Sequence, residues 1–413
     1  MHGMPSARRV SIASCPRFPV AHRLGLACLG LAALVLGWGP GCTAPPSRDA
    51  QLAALSRTSP PPSPRTSEAV SAADLSRGIR AAPWAEEAPL PGVMSPEPLL
   101  EPETIRPEWV ALSAWAHTLS LPVPVRLNAA ADSWEITGPN GPLQILAGTR
   151  QARFDGMDLW LGYAPRPSPE GLLVHQVDLE KNLRPLITRN RLPPPAPRRI
   201  MLDPGHGGRS SGTLSVLDQR PEKEFVLDWA LRLAPLLVAA GWEVFLTRTN
   251  DVDLTIADRV ALTDAVRPDL FLSLHFNSAA PDLTRSGVET YCLTPVGLLS
   301  TLTRNYDDNP NWVLPNNTYD AANIQYAAHL HRALLRSTGA VDRGIRRARF
   351  MAVLQAQNCP AVLIEGGFLS NPREAARIAT PAYRQLLAES IAAALSGDAP
   401  GPRGPVQDRI ASP

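Results

Sequence analysis

Three shortages narrow the reading before any motif is considered. A charge excess of one sign is missing: 40 Lys+Arg stand against 38 Asp+Glu in 413 residues, a net charge of +2. Phosphate backbones are held by clustered basic excess, so no nucleic-acid partner is expected. Cysteine is scarce, with five in all, and Cys15, Cys28 and Cys42 fall in the first 42 residues. Cys292 and Cys359 alone remain beyond them, too few for a disulfide framework or a Cys-rich metal site; two small buried thiols are the expectation. Long hydrophobic runs are missing too. The longest, Leu24 to Trp38, has fifteen residues and is too short to span a bilayer comfortably. Finally, no H-E-x-x-H occurs anywhere in the chain.

What is present begins at the N-terminus. Arg8, Arg9, Arg17 and Arg23 precede the apolar run, the charge-then-apolar order of an export signal over 1–42. The run is followed by Gly-Pro-Gly-Cys42, which resembles the end of a bacterial lipoprotein signal, although Gly39 stands where an aliphatic residue is usual. Cys42 is therefore the lipidation candidate and the contact with a membrane. The residues after Arg8-Arg9 do not fit twin-arginine export. The expected location is outside the cytoplasm, in the periplasm or cell envelope, with an outer-membrane lipoprotein as the most specific version.

Proline is abundant and unevenly placed. Of 44 prolines, 29 lie in residues 1–197, four in the last 17 residues, and only 11 in the 199 residues between. Residues 43–105, with Ser59-Pro-Pro-Pro-Ser-Pro64, cannot bury enough apolar surface to offset chain entropy and read as a disordered linker. Residues 106–187 carry a short amphipathic stretch and strand-like runs at 123–127, 133–137, 143–147, 158–163 and 172–177, separated by turns such as Gly138-Pro-Asn-Gly141. They predict a small α+β accessory module, whose last segment is helical only as far as about Pro185. Its Trp109, Trp115, Trp134 and Trp160 sit inside periodic runs and read as core residues rather than a sugar platform. A Pro-rich hinge (188–197) closes the module, and 397–413 reads as a disordered tail.

Residues 198–396 alternate strands and helices, the pattern of an α/β domain with a mixed, largely parallel sheet flanked by helices. A helix is expected from Glu222 to Ala240, kinked or ended early by Pro235. In such sheets chemistry sits in loops at strand carboxyl ends. Four polar blocks occupy those places: Asp203-Pro-Gly-His206-Gly-Gly208, Glu222 at a helix start, Ser273-Leu-His275-Phe-Asn277, and Glu365-Gly-Gly-Phe-Leu-Ser-Asn371. Two imidazoles and a carboxylate make a ligand set for a catalytic zinc. A further carboxylate, Glu365, can move a proton from water to a leaving amine. Singly, each histidine also reads as a hydrogen-bonded strand-end residue, and Glu222 as a carboxylate at a helix N-terminus.

Together the four blocks resemble the zinc-dependent N-acetylmuramoyl-L-alanine amidases, bacterial cell-wall hydrolases, over about half of the chain. The resemblance implies Zn2+ held by His206, Glu222 and His275, with Glu365 as catalytic acid/base. It implies peptidoglycan as partner, cleaved between N-acetylmuramic acid and L-alanine by a zinc-activated water. Thr247-Arg248, Asp258-Arg259, Gly287-Val-Glu289 and Arg343-Gly344 match its supporting blocks. Glu222 is preferred over Glu224 on the match of the family's E-K-[DE] block. Asp203, Asn277 and Asn371 are candidates for substrate binding or for orienting the ligands. No activator protein is indicated. Two alternatives stay open: a non-catalytic peptidoglycan-binding protein of the same fold, and a zinc hydrolase of another cell-wall amide. The chain departs from the family at Gly366, which is expected to widen the pocket, in a loop before Glu222 poor in acidic residues, and in an extra loop, 295–321, expected to cover the substrate or plug the site.

Overall fold

The computed structural model describes residues 79–81, 109–130, 132–188, 192, 198–302 and 308–396. Cys42, the export signal, the 397–413 tail, and most of the linker and hinge lie outside the described residues.

Four parallel strands form the centre of the molecule: β10 (Arg198–Pro204), β11 (Trp242–Leu246), β12 (Leu270–Asn277) and β15 (Ala361–Phe368). Every residue of β15 is buried, as expected of a strand covered on both faces. β13 (Val288–Cys292) runs antiparallel to β15, and β14 (Asp342–Arg347) lies parallel to β13. Helices Glu222–Ala239, Asp320–Thr338 and Pro381–Leu395 pack on the face that carries the larger apolar core. Helices Ile256–Val266 and Ala352–Gln355 cover the smaller core around Met201, Phe271 and Leu363. Thr255 opens the first of these with a reciprocal cap: its side chain accepts from Asp258 N–H while the Asp258 carboxylate accepts from Thr255 N–H.

The helix from Glu222 does not stop at Pro235; it continues to Ala239. Phe225, Trp229, Leu233 and Leu237 are fully buried along it. Their burial outweighs the roughly 3 kcal/mol that an interior proline costs. The segment ending the accessory region likewise passes Pro185. A π-helical turn, Leu179–Leu183, shifts the hydrogen-bond register so that Pro185 falls in the first turn of a new helical piece, Arg184–Ile187, where its missing N–H is harmless.

The accessory strands do not form a separate layer. β3 (Val125–Asn128), β4 (Ser133–Gly138), β5 (Gly141–Leu146), β6 (Gln151–Phe154) and β7 (Met157–Trp160) make an antiparallel meander. β7 pairs with β14 through Leu159 and Ile345, so the meander continues the central sheet to twelve strands. The pairing covers a β14 edge that would otherwise present unpaired backbone. Arg347 reinforces it, donating to Asn182 Oδ1 at 2.9 Å and to Lys181 O at 3.0 Å. β6 and β8 (Arg166–Ser168) were not legible as strands, the one rich in polar residues and the other holding a proline. β8 joins β2 (Trp109–Ala111) and β9 (Gly171–His175) in a small second sheet. Within the expected linker, β1 (Ile79–Ala81) adds a parallel edge strand beside β11.

The four module tryptophans are engaged within the chain. Trp115 donates to Glu180, Trp134 donates to Asp132, Trp109 lies under Arg166, and Trp160 lies under Arg346. Cys292 and Cys359 are free and buried, and burial pushes the Cys359 thiol up to about 12.

Candidate metal centre and acid/base

His206, Glu222 and His275 converge at the carboxyl ends of β10 and β12. One ligand atom from each falls within 4.8 Å of the others, so together they form a possible metal site. Glu222 lies between the rings, with Oε1 2.9 Å from His275 Nδ1 and Oε2 3.2 Å from His206 Nε2. Two backbone N–H groups orient the carboxylate: Phe276 donates to Oε1 and Thr213 to Oε2, each at 3.0 Å. The remaining ring nitrogen of His206 lies 2.9 Å from Ser210 Oγ, which fixes the ring's rotation. Burial by itself would raise the Glu222 carboxyl; the two imidazoles outweigh it and hold the group well below the ordinary carboxylate range.

Glycine makes this crowding possible. A Cβ on Gly205 would fall 2.2 Å from His275 Cε1. At Gly212, where φ is +69°, it would fall 2.5 Å from Glu222 Oε2. His206 itself has φ +62°, a left-handed conformation that turns its ring back toward β12.

Two arginines hold that turn. Arg259 donates to His206 O at 2.6 Å, and Arg248 donates to Pro204 O at 2.9 Å and to Gly205 O at 2.8 Å. Asp203 anchors Arg259 and also accepts from Thr247 Oγ1 at 2.7 Å and Ser273 Oγ at 2.8 Å. Desolvation pushes the pKa of the Asp203 carboxyl up, but Arg259 and the two hydroxyls prevail and hold it below the usual carboxylate value. A depressed native pKa means stability that is present above about pH 4, the unfolded carboxyl value, and is lost as pH falls through the native one. Asp203→Asn strands a buried guanidinium, so a loss of about 3 kcal/mol is expected. Urea midpoints measured between pH 3 and 7 check both points: the variant starts lower and loses part of the wild-type acid slope.

Glu365 lies on β15 in register with His275 on one side and Glu289 on the other. Directly opposed residues share a face, so the three side chains form a row along the sheet. Glu289 is buried and accepts from Asn277 Nδ2 at 2.8 Å and Tyr291 OH at 2.6 Å. Asn277 thus points along the row. Asn371 instead caps helix Pro372–Ala379, accepting from Arg373 N–H and Glu374 N–H, and donates to Thr284 O.

The sequence profile of the family described as N-acetylmuramoyl-L-alanine amidase matches residues 200–397. Residues 200–397 belong to the N-acetylmuramoyl-L-alanine amidase family. Over 220 residues the chain is 33% identical to N-acetylmuramoyl-L-alanine amidase AmiC of Escherichia coli O6:H1, covering 48% of this chain and 51% of that one. AmiC of Neisseria meningitidis serogroup B is 32% identical over 249 residues, 55% of this chain and 57% of that one. LytC of Bacillus subtilis is 32% identical over 193 residues, 46% of this chain and 34% of that one. The match thus spans about half or less of the length of each of these relatives.

Two departures within the amidase domain take on a different meaning in the structure. Gly366 does not widen the pocket. It follows Glu365 on a strand and so faces the opposite side, where a Cβ would fall 3.0 Å from both Phe276 and Trp229. Its small size serves the core. The described parts of the 295–321 loop, 295–302 and 308–321, do not cover the site, because β13 runs antiparallel to β15 and carries the chain away from Glu365. These parts pack at the far end of the strands. Asn316 donates to Cys359 O at 2.8 Å just before β15, and Arg349 donates to Pro295 O at 2.8 Å and Leu298 O at 2.7 Å. Arg150 and Tyr163 of the accessory region also bond to it, through Ser300 O and Gly297 O.

Proposed function

We propose that the amidase domain hydrolyses the amide between N-acetylmuramic acid and L-alanine of peptidoglycan, with Zn2+ held by His206, Glu222 and His275 and with Glu365 as acid/base. The observation that carries this is the convergence of two imidazole nitrogens and a carboxylate within 4.8 Å, in register beside a second, nearly buried carboxylate. That donor set fits zinc, a borderline-soft cation that accepts nitrogen and oxygen together and keeps one position open at catalytic sites. When bound, the ion supplies Lewis-acid polarisation of the amide carbonyl and makes water a stronger acid.

The remaining work falls to the chain. Glu365 takes a proton from the attacking water and delivers it to the alanine nitrogen, so that the stem peptide leaves as an amine rather than an amide anion. Ser210 and the Thr213 and Phe276 amides keep the three ligands aimed at one point. Asp203, through Arg259, holds the His206 turn; Asn277, through Glu289, supports the row that contains Glu365. Both act on other side chains rather than on substrate, and Asn371 fixes the loop after β15. Export to the periplasm or cell envelope is supported by the Leu24 to Trp38 run, and attachment at Cys42 would leave the Pro-rich stretch that precedes β1, residues 43–78, as a tether toward the polymer. Among the described residues no helix is long and apolar enough to cross a membrane.

Mass analysis of fragments released from purified peptidoglycan, with and without a chelator, tests the reading. Free stem peptides beside intact glycan, lost on chelation and restored by zinc, are expected. Fragments cut within the cross-links would identify another amide as substrate. Binding with no release would mean a non-catalytic wall-binding protein.

A further inference from the structure

The row of side chains that begins at His275 and Glu365 does not end at Glu289. Two arginines of β14 continue it: Arg343 Nε donates to Glu289 Oε1 at 2.9 Å, and Arg346 Nε lies 3.4 Å from the same oxygen. Arg346 is nearly buried beneath Trp160, 4.9 Å from the ring centroid. Arg343 differs, with a side chain that is 22% exposed. β14 starts beside the start of β13, with Asp342 paired to Val288, so Arg343 stands at the same end of the sheet as Glu365.

Arg343 is also held more tightly than a surface cation. Its guanidinium lies over the Phe368 ring, 5.3 Å from the centroid. Its stem passes Gly287, where φ is +113° and a Cβ would come within 3.0 Å of Arg343 Cγ. The other carboxylate nearby, Glu374, is occupied by the N–H groups of Gly287 and Phe368. One edge of the guanidinium is thus fixed on Glu289, and a planar fork of donors remains for a carboxylate from outside.

Spacing identifies which carboxylate. β15, β13 and β14 are successive strands, so Arg343 is about two strand spacings, roughly 10 Å, from Glu365. If Glu365 delivers its proton to the first stem nitrogen, an extended peptide advancing about 3.3–3.6 Å per residue brings the second residue within guanidinium reach. That residue of a peptidoglycan stem is a γ-linked glutamate, whose α-carboxyl is either free or amidated.

We propose that Arg343, preset by Glu289, Phe368 and Gly287, binds the free α-carboxylate of the second stem residue and makes the enzyme selective for unamidated stems. The assignment rests on the amidase reading above. Two muramyl peptides that differ only in that group, acid against amide, test it through the ratio of their kcat/KM values. The unaltered enzyme is expected to favour the acid by about 10-fold or more, the size of one charge-assisted hydrogen-bond pair. Arg343→Gln brings the ratio close to one. Arg343→Lys, which keeps the charge beside Glu289 but not the fork, retains roughly half the preference or less and serves if the neutral variant does not fold. An unaltered enzyme with a ratio of one, or variants that slow both substrates equally and keep the ratio, would show that Arg343 only supports Glu289 and would overturn the proposal. Turnover of neither substrate by the unaltered enzyme would overturn the amidase reading itself.

Discussion

Glu365→Gln is expected to lower the release of stem peptides by about 1,000-fold while leaving zinc content and thermal stability unchanged. The size follows from what the carboxylate is asked to do. General acid/base catalysis contributes typically 10²–10⁴-fold, and here the same group serves both the attacking water and the leaving nitrogen. Gln preserves the shape and can still donate and accept hydrogen bonds, so the β15 register between His275 and Glu289 should survive. The three proposed ligands come from other elements: the turn after β10, the start of the helix at Glu222, and β12. Measuring turnover, bound zinc and melting temperature on the same preparation separates the roles. Parent-like turnover would remove Glu365 from the chemistry, and a joint loss of zinc would make it a ligand or a structural support instead.

The candidate site residues were legible because each is a polar side chain at the end of an apolar strand, where core packing gives no reason for it. His206, His275 and Glu365 announce themselves in that way, and Glu222 by the family block around it. Their supports were not legible from local pattern. Nothing in the sequence joins Asp203 to Arg259, 56 residues later, or Asn182 to Arg347, 165 residues later. Resemblance flagged Arg248, Arg259, Glu289 and Arg343, but only the geometry says what each one holds. Strand direction was equally hidden. A period of two looks the same in either direction, so the antiparallel course of β13, which carries the chain after Cys292 to the far end of the sheet, could not be read from Val288 to Cys292. Nor could the union of the two regions, since Met157 to Trp160 alternates like any half-buried strand and carries no mark of its partner, β14. Pro185 and Pro235 misled for a further reason. Propensity is local, and a π turn in one case and a buried helix face in the other overrode it.

Gly205→Ala should be nearly as damaging as loss of Glu365, although it removes no functional group. The added methyl would sit 2.2 Å from His275 Cε1 and 2.3 Å from Nε2, so something must move. His275 cannot yield without leaving Glu222 Oε1, and the turn cannot yield without breaking the Arg248 bond to Gly205 O or displacing His206 next to it. Either way the three donors no longer meet, and zinc affinity and turnover should fall together by about 100-fold, at the upper end of what losing an outer-shell partner costs. Gly212→Ala, whose methyl would press on Glu222 Oε2, should behave alike. Gly148→Ala is the informative control. It too has a positive φ, +75°, but nothing lies within 4 Å of its added Cβ. That variant should show only the backbone cost of about 1–2 kcal/mol in stability, with zinc affinity intact. If Gly205→Ala matched Gly148→Ala in zinc affinity by equilibrium dialysis, close approach of the β10 turn to His275 would not be what builds the site.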